Sequence, residues 1–457
     1  MDDETRACVF SRECGTGVLA RLPGSTYFPE RPVGAAIVST LRRPRGRVVC
    51  VTAPPLVEAD AQLAYFASLA DSTSLDRVSL VGVDDDSARW LSTKLLDDGV
   101  ACRRLAEAGP TALAYFEPSA NLERLADDLG VSRDQPCSGV IPLGTKAAGR
   151  ALFREAGVPI AAGTPECRDL GTLARELATL TAAGHRRFVL KLSNTEYGAG
   201  LGNARIDLPP GGDERRIAAL LPTSHVVDEL LGWDGFAGEI ATAGVLAEEW
   251  LDGAEIRSPS FQGRIADGVA HAVSTHEQVL ADNRQTFAGC AFPAADDYRA
   301  ELIRHGLAVG RLLVERGVDR GDYGVDLIAL RATAASPWRL YGCELNLRAT
   351  GTKHGFDMAT ALLGVVPDDD GVLRLPNGEP RVYVSTDAVL APPELTVREL
   401  VARVEASPVH FDRRRLCGVA LHMLSTLPTY GRFGAVAIAA TRVEADELLS
   451  ALRTLVR

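Results

Sequence analysis

The sequence contains very little lysine. Only four of its 49 basic residues are lysine, at positions 94, 146, 191 and 353. Such a bias towards arginine is expected where coding pressure replaces lysine at every position that tolerates either cation. Because a compact ammonium and a broad planar guanidinium are not equivalent in a tight anion site, the remaining lysines mark positions where an ammonium is needed.

Other absences exclude whole classes of protein. The opening residues MDDETRACVF lack the basic start and apolar run of a secretory signal, and no stretch approaches the roughly 18 apolar residues that cross a bilayer. A cytoplasmic protein is therefore expected. The nine cysteines form no C-x-x-C pair, so neither a disulfide framework nor a zinc ribbon is indicated. The net charge of −11 argues against a nucleic-acid-binding surface.

The first third of the chain alternates between strand-like and helix-like patterns. A chain of 457 residues with 46% hydrophobic content is expected to form two to four domains. Strand-like runs at 47–53, 78–83 and 111–116 are each followed by a helical pattern, at 56–70, 87–98 and 121–129. This rhythm predicts a doubly wound parallel sheet with covering helices, and we assign it to an N-terminal α/β domain over 1–140.

The next part reads differently. Strand-like runs at 187–194, 245–251, 254–262, 323–330 and 340–347, with few helices between them, predict an antiparallel sheet that frames a cleft over 141–366. The turn-rich run PDDDGVLRLPNGEP follows Val366 and is typical of a linker. The remainder, 367–457, contains enough strand and helix patterns for a small α+β domain.

Lys191 precedes a glycine-rich loop. Small and polar residues from Ser193 to Gly202, among them Gly198 and Gly200, offer backbone N–H groups that can close over an anion. The alternative is a Rossmann turn, but that motif must open a helix and the following ARIDLPPGG is not helical. A P-loop is also nearly matched around Lys146, although its lysine and threonine are swapped.

The segment AEEWLDGAE, residues 247–255, is a candidate nucleotide-binding edge. Alternation along a strand places Glu248 and Trp250 on one face, and the backbone between them can pair with an adenine edge. Gly253 permits a turn that brings Glu255 towards a ribose hydroxyl. Taken alone, this segment is also typical of an acidic strand end.

The run CELNLR offers ligands for a hard cation. Alternation sends Glu344, Asn346 and Arg348 to one face, while Cys343 and its two leucines pack behind. A carboxylate and an amide oxygen on one strand suit Mg²⁺, and Asp326 on the run YGVDLIAL can supply a third oxygen. Taken singly, each acid could equally be salt-bridged or solvated.

The order of these elements resembles the ATP-grasp superfamily over about residues 141 to 360: Lys146, Lys191 with its loop, E-E-W-L-x-G-x-E, Asp326, then E-L-N-x-R. The string ELNLRATGTKHGF, with STHEQVL and RSPSFQ upstream, is most similar to the peptide ligases of the pheganomycin type. This resemblance implies an ATP-grasp fold between an N-terminal pre-ATP-grasp α/β domain and a C-terminal α+β domain.

The resemblance also implies a role for each matched residue. Two lysines would hold the α- and β-phosphates, and the loop from Ser193 to Asn203 would cover the triphosphate. Glu248, with the backbone of Glu249, Trp250 and Leu251, would hold adenine, and Glu255 would bind ribose. Metal binding would fall to Asp326, Glu344 and Asn346. Arg348 would steady the γ-phosphate or an acyl phosphate.

One departure affects the cationic residues. Gly324 stands two positions before Asp326, where the dipeptide ligases carry arginine, so that role passes to Arg257 or Arg348. His354, next to Lys353, follows the metal strand and is a candidate for the acyl pocket. Structural roles are favoured for two other histidines, at positions 271 and 276. The stretch 430–434 is either an acceptor contact or, as favoured here, a hairpin turn.

The function implied by the resemblance is peptide-bond formation without a ribosome. ATP and Mg²⁺, with two ions and Mn²⁺ as a substitute, would activate an amino-acid-like acid as an acyl phosphate, releasing ADP. The amine of a peptide would accept the acyl group, and a homo-oligomer is compatible with this function. The alternatives are another ATP-grasp carboxylate–amine ligase, which acts on small molecules, and a nucleotide-binding protein without catalysis. No nucleic-acid or membrane partner is expected.

Overall fold

The computed structural model describes residues 4–11, 13, 19–20, 24–194, 200–280 and 287–457. The strands are β1 Thr5–Val9, β2 Arg47–Thr52, β3 Val78–Gly82, β4 Ala112–Tyr115, β5 Ser132–Arg133, β6 Arg187–Leu192, β7 Asn203–Asp207, β8 His225–Val226, β9 Val245–Glu249, β10 Glu255–Arg257, β11 Pro259–Ala266, β12 Val269–Leu280, β13 Phe287–Phe292, β14 Gly321–Arg331, β15 Arg339–Asn346, β16 Leu373–Arg374, β17 Pro380–Leu390, β18 Gly418–His422 and β19 Arg432–Ala439. The α-helices are Val33–Leu41, Ala59–Ala70, Leu91–Asp97, Gly99–Glu107, Ala120–Leu129, Lys146–Glu155, Leu170–Ala182, Glu214–Leu220, Gly232–Ala243, Asp296–Glu315, Lys353–Leu363, Val397–Glu405, Leu427–Tyr430 and Arg442–Leu455.

The N-terminal part contains a parallel sheet with the strand order β3-β2-β1-β4-β5. This confirms the predicted parallel sheet, and its strands β2, β3 and β4 are the runs identified from sequence. The central strand β1 was not predicted. It is only five residues long and includes exposed Arg6 and small Ala7. Its sequence therefore lacks the continuous run of large apolar residues by which a buried parallel strand is identified.

A small antiparallel sheet, with the order β8-β7-β6-β9, carries the first two chemically interesting strands. Its apolar face packs against three helices between residues 170 and 243 through a cluster that includes Phe188, Leu190, Leu177 and Phe236. The register of β6 and β9 pairs Val189 with Glu248 and Lys191 with Leu246, so Glu248 lies on the strand next to Lys191.

A large antiparallel sheet forms the other side of the molecule. Its order is β10-β14-β11-β12-β13-β17-β19-β18, with β15 beside β14 and β16 beside β17. The C-terminal strands β17, β18 and β19 therefore extend the same sheet as β14 and β15, which carry the predicted metal ligands. The division of the chain at residue 366 stays a prediction, because continuous strand pairing between β13 and β17 crosses that boundary.

The expectation of few helices in the middle part was wrong. Helices at 146–155, 170–182, 214–220, 232–243, 296–315 and 353–363 lie between residues 141 and 366. The longest, Asp296–Glu315, packs on β11 and β12 through one face and presents charge on the other, as an amphipathic helix does. No helix in the described part of the chain combines the length and the apolar character that a membrane span requires.

The N-terminal and C-terminal parts share one hydrophobic core. Phe66 and Met358 belong to the same buried cluster as residues of β17, β18 and β19. Polar contacts cross the same boundary, since the Tyr65 hydroxyl accepts from the Leu421 N–H at 2.9 Å. The N-terminal and C-terminal parts therefore both pack against the helix Lys353–Leu363. This helix follows β15, the strand that carries Glu344 and Asn346.

Close packing at Gly306 gives a stability prediction. A Cβ atom there would lie 2.1 Å from Cδ1 of buried Phe261, so the helix Asp296–Glu315 would have to move away from β11. We expect Gly306→Ala to lower the free energy of unfolding by about 1–3 kcal/mol, as overpacking does. Urea unfolding followed by circular dichroism measures the change.

The matched control is Gly238→Ala in the helix Gly232–Ala243, where an added Cβ meets nothing within 4 Å. We expect it to be neutral or to raise the free energy of unfolding by up to about 1 kcal/mol, through helix propensity alone. Equal destabilisation of the two variants would contradict the close approach of helix and sheet at Gly306.

Candidate active site

One cleft of about 410 Å³ lies between the small sheet and the large sheet. Its volume is in the range typical of small-molecule sites. The cleft is lined by ten of the residues that the sequence singled out: Lys146, Lys191, Gly200, Glu248, Glu249, Trp250, Leu251, Arg257, Asp326 and Glu344. The sequence motifs, which are separated by up to about 200 residues, therefore converge on one cavity.

Lys191 is held in a buried ionic triad. Its Nζ lies 2.5 Å from Oε2 of Glu248, and Nη1 of Arg150 lies 2.8 Å from Oε1 of the same carboxylate. All three residues are buried. Burial alone would raise the pKa of Glu248, but Lys191 and Arg150 outweigh it and hold that pKa below its ordinary value.

The triad changes the interpretation of Glu248. Both of its oxygens are engaged by cations, so its first effect is to keep Lys191 oriented and charged. The predicted adenine contact of Glu248 stays a prediction. Arg150 was missed by sequence reasoning, since one arginine among many on a helix carries no distinguishing signal.

Lys146 begins the helix Lys146–Glu155 and is hydrogen-bonded to the residue that follows β6, the strand that carries Lys191. Its backbone N–H donates to the Ser193 carbonyl at 2.9 Å, and the Ser193 hydroxyl accepts from the Ala147 N–H at 3.3 Å. Ser193 is therefore engaged in positioning the helix. Gly202 accepts from the Leu192 N–H at 2.9 Å and closes the base of the glycine-rich loop. Gly198 lies outside the described residues.

The segment after β9 forms one wall of the cleft. The strand ends at Glu249, whose N–H donates to Ala162, and the Trp250 N–H donates to Arg187 at 2.8 Å. Strand alternation thus stops one residue before Trp250. Glu255 does not line the cleft among the residues described, and both its oxygens accept from Arg331 at 2.7 Å. Its ribose role stays a prediction.

The opposite end of the cleft is acidic. Asp326 on β14 stands directly across from Glu344 on β15, and the Asn346 amide donates to Asp326 Oδ2 at 2.9 Å. The structure therefore brings the three predicted metal ligands together. Their oxygens are the type of donor that Mg²⁺ prefers. The predicted metal ligands remain a proposal.

Two residues that sequence reasoning did not assign hold Asp326 in place. The Ser260 hydroxyl and the Gln278 amide each donate to Asp326 Oδ1 at 2.6 Å. Both lie in strings that carried the family resemblance, RSPSFQ and STHEQVL, but nothing in their spacing indicates that they meet Asp326. Their contact depends on the pairing of β11 with β12 and β14.

The electrostatics of this end favour a cation. Burial, and then the neighbouring carboxylate of Glu344, raise the pKa of Asp326 to about 6. Lys146 reaches across the cleft, and its Nζ lies 3.6 Å from Glu344 Oε1. Two carboxylates in a confined space repel each other, so a positive charge between them would lower the electrostatic energy of the site.

A β-bulge breaks the predicted alternation on β15. Asp326 pairs with Glu344 but Leu327 pairs with Gly342, which leaves Cys343 as the extra residue. The expectation that Cys343 packs behind the strand was therefore wrong. Both Cys343 and Glu344 line the cleft, and the Cys343 sulfur lies 3.5 Å from Lys191 Nζ. Leu345 and Leu347 are buried as expected.

The four predicted catalytic residues occupy three places. Arg257 lines the cleft, and its guanidinium lies over the Trp338 ring. Arg348 pairs with Glu117 at 3.3 Å, outside the cleft lining. Lys353 and His354 line a second, smaller pocket. The structure therefore separates a nucleotide-sized cleft from a pocket that contains the last two residues.

The remaining candidates from the sequence have simpler surroundings. His276 is buried and its Nε2 lies 2.6 Å from the Tyr383 hydroxyl, in agreement with the structural role favoured for it. His271 is exposed on β12. The favoured hairpin turn at 430–434 was wrong in detail, because the short helix Leu427–Tyr430 intervenes before β19 begins. An acceptor contact at Tyr430 stays a prediction.

The triad gives a prediction about stability. Glu248→Gln leaves two buried cations without their carboxylate, and breaking a buried ion pair of this kind costs about 3–5 kcal/mol. We expect a large drop in the midpoint of guanidinium unfolding, measured by tryptophan fluorescence. Asp252→Asn removes an exposed pair with Arg187, 2.8 Å long, and should change stability by less than about 1 kcal/mol. Similar decreases in the unfolding midpoint for Glu248→Gln and Asp252→Asn would show that the triad does not stabilise the sheet.

Comparisons with known proteins give a matching family model and a relative of similar length. Residues 399–452 match the family described as the PGM1 C-terminal domain. The chain is 28% identical over 461 residues to an L-propargylglycine–L-glutamate ligase of Streptantibioticus cattleyicolor, an alignment that covers 97% of this chain and 92% of the relative. The match therefore extends through all three parts of the molecule.

Solved structures with similar folds are also found. The biotin carboxylase domain of a 2-oxoglutarate carboxylase from Hydrogenobacter thermophilus superposes with a TM-score of 0.57 at 14% identity, covering 99% of this chain and 90% of that one. An N5-carboxyaminoimidazole synthetase from Staphylococcus aureus gives a TM-score of 0.55 at 13% identity, covering 99% and 100%. The chain therefore has the ATP-grasp fold and resembles the peptide ligases of the pheganomycin type.

Proposed function

We propose that this protein is an ATP-dependent ligase that activates an amino-acid-like carboxylate as an acyl phosphate, releases ADP and joins the acyl group to an amine. The observation that carries the proposal is the composition of the cleft. Its lining includes the lysines of two different elements, Lys146 and Lys191, and an acidic end with Asp326 and Glu344. Cations and oxygen donors that line one cleft suit a nucleotide triphosphate bound with a metal ion.

The chain's own residues provide most of what phosphoryl transfer needs. Such a reaction depends on alignment and charge neutralisation more than on covalent help from the protein. Lys191, fixed by Glu248, and Lys146, at the start of its helix, are placed to pair with phosphate oxygens. The backbone between Glu249 and Leu251 lines the cleft at the position proposed for adenine.

The acidic end fits Mg²⁺ as the resident cation. Asp326, Glu344 and Asn346 would supply the oxygens, and Ser260 and Gln278 would keep Asp326 in its orientation. When bound, the metal would neutralise charge on the β- and γ-phosphates. Two ions, or Mn²⁺ in place of Mg²⁺, are compatible with this donor set and form part of the proposal. The substrate carboxylate would attack the γ-phosphorus in line. Arg257, which lines the cleft, or Arg348, which lies outside its lining, would steady the charge.

The second half of the reaction needs shielding from water, since an acyl phosphate hydrolyses readily. The glycine-rich loop that begins at Ser193 is proposed to cover the phosphates during that interval. The amine would then attack the carbonyl carbon and phosphate would leave. A cytoplasmic location is part of the proposal, because such a reaction needs a supply of ATP.

The substrate class is proposed from the relative. That ligase is named for propargylglycine and glutamate, which are both amino acids. An amino-acid-like acid as donor and a peptide or amino-acid amine as acceptor, in peptide natural-product biosynthesis, are therefore proposed here. A small-molecule carboxylate–amine ligase is the alternative. A third possibility is a nucleotide-binding protein without catalysis, and the first experiment below distinguishes it from a ligase.

Trapping the acyl phosphate tests the proposal. Purified protein with Mg-ATP and hydroxylamine should convert at least one member of a panel of amino-acid-like acids into its hydroxamate, with one ADP formed for each. The hydroxamate is measured by its ferric complex and the nucleotide by chromatography. Formation of AMP would contradict an acyl-phosphate mechanism. Nucleotide binding with no hydroxamate for any acid would favour the binder.

Glu344→Gln tests the acidic end of the cleft. The amide cannot supply the negative charge, so hydroxamate formation should fall at least about 100-fold while the far-ultraviolet spectrum and the melting temperature stay close to those of the parent. Glu315→Gln, at the exposed end of the helix Asp296–Glu315, is the matched control and should keep the full rate. A near-normal rate for Glu344→Gln would remove this residue from the metal site.

Lys146→Met tests the phosphate contacts separately from turnover. Loss of one charge-assisted hydrogen bond, worth about 1.5–3 kcal/mol, should raise the Kd for Mg-ATP roughly 10- to 100-fold. Isothermal titration calorimetry gives the value. Arg154→Met removes an exposed cation from the same helix and should leave the Kd within about twofold, because screening weakens its effect at that distance. Equal weakening by both variants would indicate a general charge effect.

A further inference from the structure

Two imidazoles and a carboxylate from distant parts of the chain meet where the helix Lys353–Leu363 packs against the C-terminal strands. His354 lies in the first turn of that helix, Asp387 lies on β17, and His422 is the last residue of β18. Nε2 of His354 lies 3.1 Å from Asp387 Oδ1, and Nε2 of His422 lies 4.0 Å from the same oxygen. One donor atom from each residue therefore falls within 4.8 Å of the other two.

His422 carries polar atoms that the protein leaves unsatisfied. Its side chain is only 2% exposed. A weak contact with the Ala435 backbone aside, neither ring nitrogen has a hydrogen-bond partner in the described part of the chain. A Cβ on Gly434 would lie 2.1 Å from His422 Cε1, so the ring is packed closely against β19. A buried polar group without a partner costs free energy, and an ion or a water molecule is the usual explanation for one. The nitrogen that faces Asp387 is therefore available to a cation.

Arg31, from the N-terminal part, holds the other side of the carboxylate. Its Nη2 lies 2.5 Å from Asp387 Oδ2, which leaves Oδ1 to face both rings. Carboxylates that ligate metals are themselves hydrogen-bonded in this way. Because Arg31 makes the site less anionic, imidazole nitrogens must supply most of the affinity for an ion. Mg²⁺, which prefers oxygen donors, is therefore disfavoured at this cluster.

A second cation stands next to the cluster, since Lys353 precedes His354 in the chain. Its Nζ lies 3.1 Å from Asp357 Oδ2 and 3.8 Å from Asp322 Oδ2. The two carboxylates compensate the ammonium charge. Neighbouring charge therefore does not exclude a divalent ion from the cluster.

The separations between the donor atoms suit zinc. Bonds of about 2.0–2.2 Å in a tetrahedral zinc site place neighbouring donor atoms about 3.3 Å apart. The distances from Asp387 Oδ1 to the two rings, 3.1 and 4.0 Å, lie on either side of that value. Each ring would have to move by less than about 1 Å to complete the geometry. Two imidazoles and a carboxylate are also donors that zinc accepts.

The second pocket, beside this cluster, has the size of one water molecule. Its volume is about 20 Å³, and its lining includes His354 and Arg31, the two residues that contact Asp387 most closely. A cavity of about 10–15 Å³ or more can hold one water molecule. The pocket therefore has room for a fourth ligand to an ion at the cluster, but it is too small for an amino acid.

Hydrogen-bonded side chains separate the cluster from the cleft. Thr350 lines the second pocket, and its hydroxyl donates to the Gln262 amide oxygen at 2.8 Å. Gln262 donates to the Ser260 hydroxyl at 2.7 Å, and that hydroxyl donates to Asp326. A substrate in the cleft is therefore kept away from the cluster, and an ion bound there would have a structural role.

We propose that His354, Asp387 and His422 bind one zinc ion, with a water molecule in the second pocket as the fourth ligand. The ion joins the helix Lys353–Leu363 to β17 and β18, and Asp387 links it to Arg31 of the N-terminal part. Because the three ligands come together only in the folded chain, zinc stabilises that state by mass action. The site is separate from the cleft and independent of the ligase function proposed for it.

Zinc binding is measured on the full-length protein after treatment with a chelator and return to buffer that contains millimolar Mg²⁺, which occupies the oxygen donors of the cleft. Elemental analysis after gel filtration should give one zinc per chain. Saturating Zn²⁺ should raise the melting temperature by at least about 2 °C. Co²⁺ in place of Zn²⁺ should give the visible absorption of a four-coordinate site with nitrogen donors.

His422→Gln should remove the bound zinc, the rise in melting temperature and the cobalt absorption. The matched control is His305→Gln, which changes another buried histidine, 3.2 Å from Glu301, on a helix away from the cluster. It should keep all three properties. Glu344→Gln should keep them as well, which separates this site from the acidic end of the cleft. His354→Gln carries the test if His422→Gln does not fold.

Several outcomes would overturn the zinc site. These are a parent protein that binds no zinc at micromolar concentration, an unchanged zinc content in His422→Gln, or loss of zinc from Glu344→Gln. Cobalt–thiolate absorption that persists in His422→Gln would assign the ion to cysteines instead. Hydroxamate formation well below the melting temperature should be the same with and without zinc, and its loss on zinc removal would contradict a structural role.

Discussion

A buried lysine must keep its charge if it is to meet a phosphate, and Glu248 is what keeps Lys191 charged. Removal from water opposes the ammonium form, so a partner carboxylate has to lie within hydrogen-bond distance. The same carboxylate binds Arg150 from the helix Lys146–Glu155. One interaction therefore joins β6, β9 and that helix, and it places Lys146 and Lys191 on the same side of the cleft.

The acidic side of the cleft depends on strand register in a comparable way. Asp326 and Glu344 face each other only because β14 and β15 pair as they do, and the bulge at Cys343 restores that register after Gly342. Without the bulge, a one-residue slip would turn Glu344 away from the cleft. Ser260 and Gln278, from two further strands, then fix the carboxylate of Asp326. The geometry of this end is thus a property of the whole sheet.

The parts of the structure that sequence predicts are those with a local pattern. Runs such as RVVCVTA and YGVDLIAL become β2 and β14 because apolar and β-branched residues favour buried strands. Lys191 and Glu344 stand in motifs of unusual composition, and the order of those motifs along the chain identified them together. Contacts that depend on pairing of distant segments leave no such trace. Arg150, Gln278 and the bulge at Cys343 are therefore visible only in three dimensions.

The position of the second pocket follows from how the chain closes. Arg31 comes from the N-terminal part, His354 from the middle, and Asp387 and His422 from strands near the C-terminus. These strands extend the sheet that holds Asp326, so any shift of the C-terminal strands moves Asp387 relative to the proposed metal ligands. The cluster at this junction forms only when all three parts have come together. The geometry of this cluster is therefore a property of the closed fold, as the geometry of the acidic end is a property of the whole sheet.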